Sequence, residues 1–425
     1  MALDGRWVAA AVLERVERGH AFAAAALDAE LGRHPQLEPR ERAFATELVY
    51  GVLRTRGALL ARLGRHAPRG LERLDTRTSI QLLLAAYQIL LLERVPAYAA
   101  VDAAVEAVRR GRGPRLGGFA NAVLRKLAAS GEKLTLTAAV RESAPGWLLE
   151  RLEALAGPEE TNLLLGAGEP PPLALRLSAR AEPPPWNGAA EPGRASPLAR
   201  LLRSAGDPRK LAGYAEGQFV IQEEGAQVVA LALGARAGER VLDACAGRGQ
   251  KASLLAERVG SGGALWATDN HPAKLRMLHE DFQRLGLPTP HTSAVDWTVG
   301  PGEVPDTFDR VLVDAPCTGT GTLRRRPEIG LRLGPEDPGR LGELATRILR
   351  AAAARARPGG RVVFAVCSVL AEEAESVVDA VRAELTPAPF DAPELSGLVE
   401  PGATWFRLLP GRHGTDGYFV ASFAR

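Results

Sequence analysis

Two short blocks in this 425-residue chain are rich in reactive side chains: Asp314-Ala315-Pro316-Cys317 and, 50 residues later, Cys367-Ser368. The third cysteine of the chain, Cys245, stands within Asp243-Ala244-Cys245-Ala246-Gly247-Arg248-Gly249-Gln250-Lys251. A cysteine taken alone is most often a buried packing residue. These three share a feature that packing does not require: each falls where an apolar, strand-like run ends. Two thiols facing one pocket suit a particular covalent route. Carbon 5 of a pyrimidine has little nucleophilic character until a thiolate adds at carbon 6 and creates an enamine. Carbon 5 can then attack an activated methyl group, after which a base removes its proton and the thiolate is expelled. Hydride transfer has no evident task for two thiols. An amine-directed methyltransferase would usually carry an aromatic residue after the proline, where this chain has Cys317.

The loop around Cys245 points to a nucleotide-like cofactor. Gly247 and Gly249 permit a ligand to approach the backbone closely, and Asp269, 20 residues beyond Gly249, is spaced to accept hydrogen bonds from ribose hydroxyls. The dinucleotide fingerprint would place a third glycine where Ala252 stands. That departure favours S-adenosylmethionine over NAD. Asp296 closes the next strand-like run and is placed to meet the adenine end, an ordinary polar strand cap being the alternative.

The elements that must position these residues alternate. Strand-like runs at Arg240 to Cys245, Ala264 to Asp269, Thr292 to Asp296, Asp309 to Ala315 and Arg361 to Ser368 are separated by helical stretches such as Gly249 to Val259 and Ala273 to Leu285. The pattern predicts a parallel sheet with helices on both faces, whose ligands bind at the carboxyl ends of the strands. Residues 1 to about 130 read as helix only, five to seven of them. Their apolar residues recur at three and four, as in Val8, Val12, Val16, in Phe44, Leu48, Val49, Val52, Leu53, and in Leu82, Leu83, Ala86, Ile89, Leu90. Between these parts, a helix opens after Pro145, Leu173 to Leu177 reads as a strand, and Ala181 to Pro197 is a loose tract rich in Pro, Gly and Ala. The expected architecture is an all-α domain over residues 1–135, a small α+β domain over 142–215, and an α/β Rossmann-like domain over 216–425.

Composition bounds the function classes. With 46% hydrophobic and 24% charged residues the chain reads as a folded soluble protein, too long for one average domain. The longest apolar stretch, Ile80 to Leu92, falls short of the roughly 20 residues of a membrane span. No secretory leader pattern opens the sequence, so a cytoplasmic protein is expected, and three cysteines cannot build a disulfide scaffold. Net charge is +3, but residues 1–130 hold 20 Lys/Arg against 13 Asp/Glu. Arg109, Arg110, Arg112, Arg115, Arg125 and Lys126 crowd near the end of that span, a face suited to phosphates or simply to solvent. Neither a metal nor a membrane is expected among the partners.

Together these residues resemble the RNA 5-methylcytosine methyltransferases of the NOL1/NOP2/Sun family, and within it the bacterial RsmB (Sun/Fmu) type. In the catalytic part the resemblance rests on Asp243 to Lys251, on Asp314 to Cys317 with Arg324, Arg325 and Pro327 behind it, on Cys367-Ser368, on the terminal Asp416-Gly417-Tyr418-Phe419, and on Gln222 to Gln227. The N-terminal part resembles the NusB-type RNA-binding domain fused in that subgroup. The stretches that carry it are Glu47 to Arg54, Tyr87 to Leu90, Arg94-Val95-Pro96 and Phe119 to Arg125. The middle segment would correspond to a small RRM-like region.

The resemblance implies that Cys367 is the nucleophile, that Cys317 assists resolution of the adduct, and that Asp314 holds the cytosine's polar edge, with Lys251 at the active-site edge of the cofactor loop. The cofactor-binding set it implies is Cys245, Ala246, Gly247, Arg248, Gly249, Gln250, Lys251, Asp269, Asp296 and Asp314. The partner it implies is small-subunit ribosomal RNA. Arg248, Gln250 and Val366 depart from the family's usual Pro, Gly and Thr. Two other functions are weighed against this one: a transfer RNA cytosine methyltransferase, which the helical N-terminal part speaks against, and an inert RNA-binding assembly factor, which Cys317 and Cys367 speak against.

Overall fold

The three- and four-residue spacing in the first part of the chain resolves into helices in the computed structural model, which describes residues 4–19, 21–67, 70–179, 181–203 and 206–425. They are α1 (Gly5–Gly19), α2 (Ala23–Arg33), α3 (Pro39–Gly64), α4 (Thr76–Leu91), α5 (Ala97–Arg112), α6 (Pro114–Ala129), α7 (Leu136–Ser143) and α8 (Gly146–Leu164). Six of the described helices precede Ser130, within the five to seven expected. Helix α4 opens on an Asp75 cap that accepts from the Arg77 and Thr78 N–H groups. It lies at the centre of the bundle, with Ile80 and Leu82 to Leu90 all buried. Burial of each large apolar side chain there contributes about 1.5–3 kcal/mol. Gly51 on α3 is required by close approach, since a Cβ there would lie 2.1 Å from the Tyr87 ring of α4.

Contacts divide the chain into two units, Met1–Glu169 with Leu323–Arg332, and Pro170–Thr322 with Leu333–Arg425. Residues 142–215 are thus shared: α8 goes with the helical unit and the strands that follow it with the other. The excursion Leu323–Arg332 carries the Arg324 to Pro327 run, which in sequence reads as part of the Cys317 block. Within the helical unit Arg54 donates to the Arg324 carbonyl at 2.8 Å, and the Ala23 N–H, at the start of α2, donates to buried Glu328 at 2.9 Å. A buried carboxylate needs such donors, and a helix N-terminus supplies them.

The second unit begins with β1 (Leu173–Leu177), β2 (Glu191–Pro192), β3 (Ala199–Leu202) and β4 (Phe219–Ile221), an antiparallel sheet in the order β2-β3-β1-β4. The tract expected to be loose is partly ordered by it: β2 pairs with β3, and Trp186 packs edge-on against Phe219. Then follow α9 (Glu224–Ala232), β5 (Arg240–Asp243), α10 (Gln250–Val259), β6 (Ala264–Asp269), α11 (Pro272–Arg284), β7 (His291–Ala294), β8 (Phe308–Asp314), α12 (Asp337–Ala353), β9 (Ala356–Val366), α13 (Glu375–Val381), β10 (Thr386–Pro387), β11 (Trp405–Leu408), α14 (Pro410–His413) and β12 (Tyr418–Ala424).

The main sheet runs β10-β12-β9-β8-β5-β6-β7, with β11 also on β12. Strands β7, β6, β5, β8 and β9 are parallel as expected. The sheet is not wholly parallel, however, because β12 enters antiparallel to β9, with Phe419 opposite Val366. Successive strand residues face opposite cores. Val241, Leu312, Ala365 and Val420 pack with Val229, Leu255 and Phe282 of α9, α10 and α11, while Leu242, Val311, Phe364 and Phe419 pack with Leu349 and Val377 of α12 and α13. Strand order reverses between β5 and β8, and at that switch point an open α/β sheet has its ligand crevice.

Candidate active site

The loop from Cys245 to Lys251 leaves β5 and enters α10 through two glycines in the left-handed region, Gly247 at φ +58° and Gly249 at φ +85°. At Gly249 a Cβ would lie 2.5 Å from Leu278, so packing as well as backbone conformation demands glycine. Around Gly247 the space is open. Its N–H donates to Asp269 Oδ2 at 3.1 Å, and Asp269 also accepts from the His271 N–H at 2.8 Å and from Lys274 Nζ at 3.2 Å. Gln250, in place of the family's glycine, turns away from the loop and donates to the Ile221 carbonyl at 2.6 Å. Arg248 is exposed.

A cleft of about 290 Å³ opens at the carboxyl ends of the strands, lined among others by Cys245, Gly247, Asp269, Asp296, Trp297 and Asp314. Trp297 is fixed by donating from its indole nitrogen to the Ala244 carbonyl at 2.8 Å. Asp296 lines the cleft too, yet its carboxylate is turned to Thr298, accepting from its N–H at 2.9 Å and its hydroxyl at 2.6 Å, which holds it below the usual aspartate range. The residues fit S-adenosylmethionine: the glycine backbone leaves room for a ligand, Asp269 offers an acceptor to ribose hydroxyls, and Asp296 lines the cleft with the lysine-paired carboxylates Asp269 and Asp314.

Of the three cysteines, the fold brings two together. Cys317 Sγ and Cys367 Sγ are 3.4 Å apart as free thiols, while Cys245 stands in the cleft wall. The hydrogen bond between Cys317 and Cys367, and burial with it, hold the Cys317 thiol well above the ordinary cysteine range. Burial does the same to Cys245, helped by Asp243, Asp314 and Asp269. Lys251, from the first turn of α10, donates to Asp314 Oδ2 at 2.6 Å. Burial alone would lower its ammonium, but Asp314 and Asp243 more than offset that and hold it above the ordinary lysine value.

Sequence reasoning missed three groups. Asp243 is completely buried at the end of β5, neither oxygen has a hydrogen-bond partner of good geometry, and burial pushes its carboxyl up to about 7. The Cys245 N–H comes near enough only to soften that rise. Lys274, one of five lysines in the chain, pairs with Asp269. Glu373 is buried beside Thr318 and Ser368, the residues that follow the two paired cysteines. It stands in a Glu372-Glu373-Ala374-Glu375 run that reads as a solvated helix face, and nothing in the spacing singles it out. The terminal motif is explained by packing: the Gly417 N–H donates to the Gly321 carbonyl at 2.8 Å, and a Cβ on Gly321 would meet the Gly417 carbonyl at 2.1 Å.

Residues 230–424 match the family model described as 16S rRNA methyltransferase RsmB/F, and residues 4–129 match the NusB family. The ribosomal RNA small subunit methyltransferase B of Thermus thermophilus is 35% identical over 429 residues, 99% of this chain and 97% of that protein. Its counterpart from Vibrio cholerae is 32% identical, over 98% of this chain and 96% of that one. Among solved structures, PH0851 aligns over the whole of both chains at TM-score 0.84 and 22% identity. NSun6 from Pyrococcus horikoshii, solved with SFG, aligns over 66% of this chain and 98% of its own at TM-score 0.57 and 18% identity. At those identities the two structures speak for the fold alone.

Proposed function

The chain belongs to the 16S rRNA methyltransferase RsmB/F family with a NusB-family domain ahead of it, and from that premise we propose that it methylates carbon 5 of a cytosine in small-subunit ribosomal RNA through a covalent cysteine adduct. Membership makes it an S-adenosylmethionine-dependent methyltransferase. The 3.4 Å contact between Cys317 and Cys367, beside the Lys251–Asp314 pair, carries the finer reading.

Bound in the cleft, S-adenosylmethionine supplies an activated methyl group. Gly247 and Asp269 hold it, with Cys245, Ala246, Arg248, Gly249, Gln250, Lys251, Asp296 and Asp314 completing the loop and cleft around it. The Cys367 thiolate adds to carbon 6 of the base and makes carbon 5 nucleophilic. The family resemblance supports Cys367 for addition and Cys317 for the second stage, when carbon 5 loses its proton and the Cys367 sulfur leaves, and their 3.4 Å contact puts both sulfurs at one point. Asp314, aligned by Lys251, holds the polar edge of the cytosine. A base reaches such a site only when single-stranded or turned out of its stack.

In this reading residues 1–135 engage the RNA, residues 142–215 form the small middle part, and residues 216–425 carry out the transfer. The crowd of arginines supports RNA contact: Arg109, Arg110, Arg112, Arg115, Arg125 and Lys126 are all exposed. Bisulfite sequencing of ribosomal and transfer RNA from a deletion strain tests the substrate. One cytosine of small-subunit ribosomal RNA should lose its protection; loss confined to transfer RNA, or no loss, would contradict the proposal.

A further inference from the structure

The two paired sulfurs sit on separate segments, Cys317 in the loop after β8 and Cys367 in the turn after β9, so their spacing must be set by what ties those segments together. The backbone ties part of them. Ala315 donates to the Ala365 carbonyl at 2.9 Å, and Gly321 to the Cys367 carbonyl at 3.0 Å. Between those rungs the residue after each cysteine turns to one carboxylate. Glu373 Oε1 accepts from the Thr318 N–H at 2.6 Å, and its Oε2 accepts from the Thr318 hydroxyl and the Ser368 hydroxyl, each at 2.5 Å.

All three residues are buried, with Glu373 at 0% exposure. Burial raises the Glu373 carboxyl, and the bonds from Ser368 and Thr318 oppose that rise. Glu373 reaches this position because its turn leans on α12 at Gly342, where a Cβ would lie 2.1 Å from the Glu372 carbonyl. Neither Thr318 nor Ser368 lines the cleft.

We propose that Glu373 is the positioning residue of the thiol pair, its carboxylate gathering Thr318 and Ser368 to one point and so fixing the distance between Cys317 and Cys367. An ionised carboxylate accepts at both oxygens, whereas an amide of the same shape accepts at only one. The spacing stands on geometry alone; its consequence for turnover rests on the covalent reading above.

The test uses the full chain with Glu373→Gln and Glu373→Ala, and the probe dibromobimane, which bridges two neighbouring thiols with loss of two bromides. The Cys317–Cys367 bridge is identified by peptide mass spectrometry. Both variants should form it at least tenfold more slowly than the unaltered protein, with S-adenosylmethionine affinity held within twofold. In single turnover they should also accumulate a covalent protein–RNA complex, the signature of a displaced second thiol and not of a loosened fold. Bridging at the unaltered rate, or a parallel fall in cofactor affinity, overturns the proposal. Should the alanine variant not fold, Glu373→Gln and the double variant Thr318→Ala/Ser368→Ala, which deletes both hydroxyl donors, carry the same expectation. Cys317→Ala run alongside keeps the two readings apart: if it turns over normally and traps no RNA, the role of Cys317 in release is at fault, while the bridging rate still decides on Glu373.

Discussion

Lys251 Nζ donates to Asp314 Oδ2 at 2.6 Å, joining the first turn of the helix behind the glycine loop to the end of the strand that leads to Cys317. Neither side chain is more than a quarter exposed. Asp314→Asn removes the charge partner of a largely buried ammonium, and kcat should fall by roughly 10²-fold or more, the scale of a positioned polar group in the transition state. Steady-state kinetics on RNA check this. The pair also has a pH signature. Because the folded-state value of Lys251 lies above the ordinary 10.5, its contribution to stability is fully present below that value and is lost as pH rises through the folded one. Denaturation midpoints should therefore fall more steeply above pH 10.5 than in Lys251→Met.

Asp269→Ala should weaken S-adenosylmethionine binding by roughly 1.5–3 kcal/mol, the worth of hydrogen bonds to a charged group. Titration calorimetry reads it directly. Because the same carboxylate accepts from the Gly247 N–H, part of the loss comes through the loosened loop. Unchanged affinity would move the ribose contact elsewhere.

Much of this was legible in the sequence, for identifiable reasons. Parallel strands buried on both faces read as largely apolar runs, and so Ala264–Asp269 falls where it was expected, as does the short apolar run Leu173–Leu177 in the antiparallel sheet. Tyr418–Ala424 is equally apolar, but its antiparallel direction is set by pairing with residues more than 50 positions away, and a hydrophobic run carries no direction. The Arg324 to Pro327 run was legible as a motif and illegible as a position, because its place in the helical unit depends on Glu328 meeting the start of α2. The thiols were legible individually. Their 3.4 Å contact depends on Glu373, Thr318 and Ser368, whose residue types are ordinary on any surface.

Asp243 should leave its mark on stability against pH. Its carboxyl is pushed up to about 7 from 3.8, so the native state binds the extra proton between those values. Stability from this group is fully present below pH 3.8 and is lost as pH rises through 7. Asp243→Asn should flatten that part of the profile between about pH 4 and 7 in the cofactor-free protein. An identical profile in the variant would assign the proton to another group.

On α6, Arg115, Arg125 and Lys126 are exposed, while Arg109 and Arg110 pair with Glu106 and Arg112 with Asp75. Replacing the first three by glutamine should weaken RNA binding without altering cofactor affinity. The slope of log affinity against log salt should shrink by about 0.7–0.9 for each phosphate that is no longer neutralised. An unchanged slope would mean that this face meets only solvent.

The covalent mechanism is tested most directly by incubating Cys317→Ala with S-adenosylmethionine and small-subunit ribosomal RNA and running the product on a denaturing gel. If Cys367 adds to the base and Cys317 serves release, the single variant should yield a denaturant-resistant protein–RNA complex, and Cys317→Ala/Cys367→Ala should yield none. Normal turnover by Cys317→Ala with no trapped RNA would reduce Cys317 to a packing residue, and a trapped complex in the double variant would contradict Cys367 as the nucleophile.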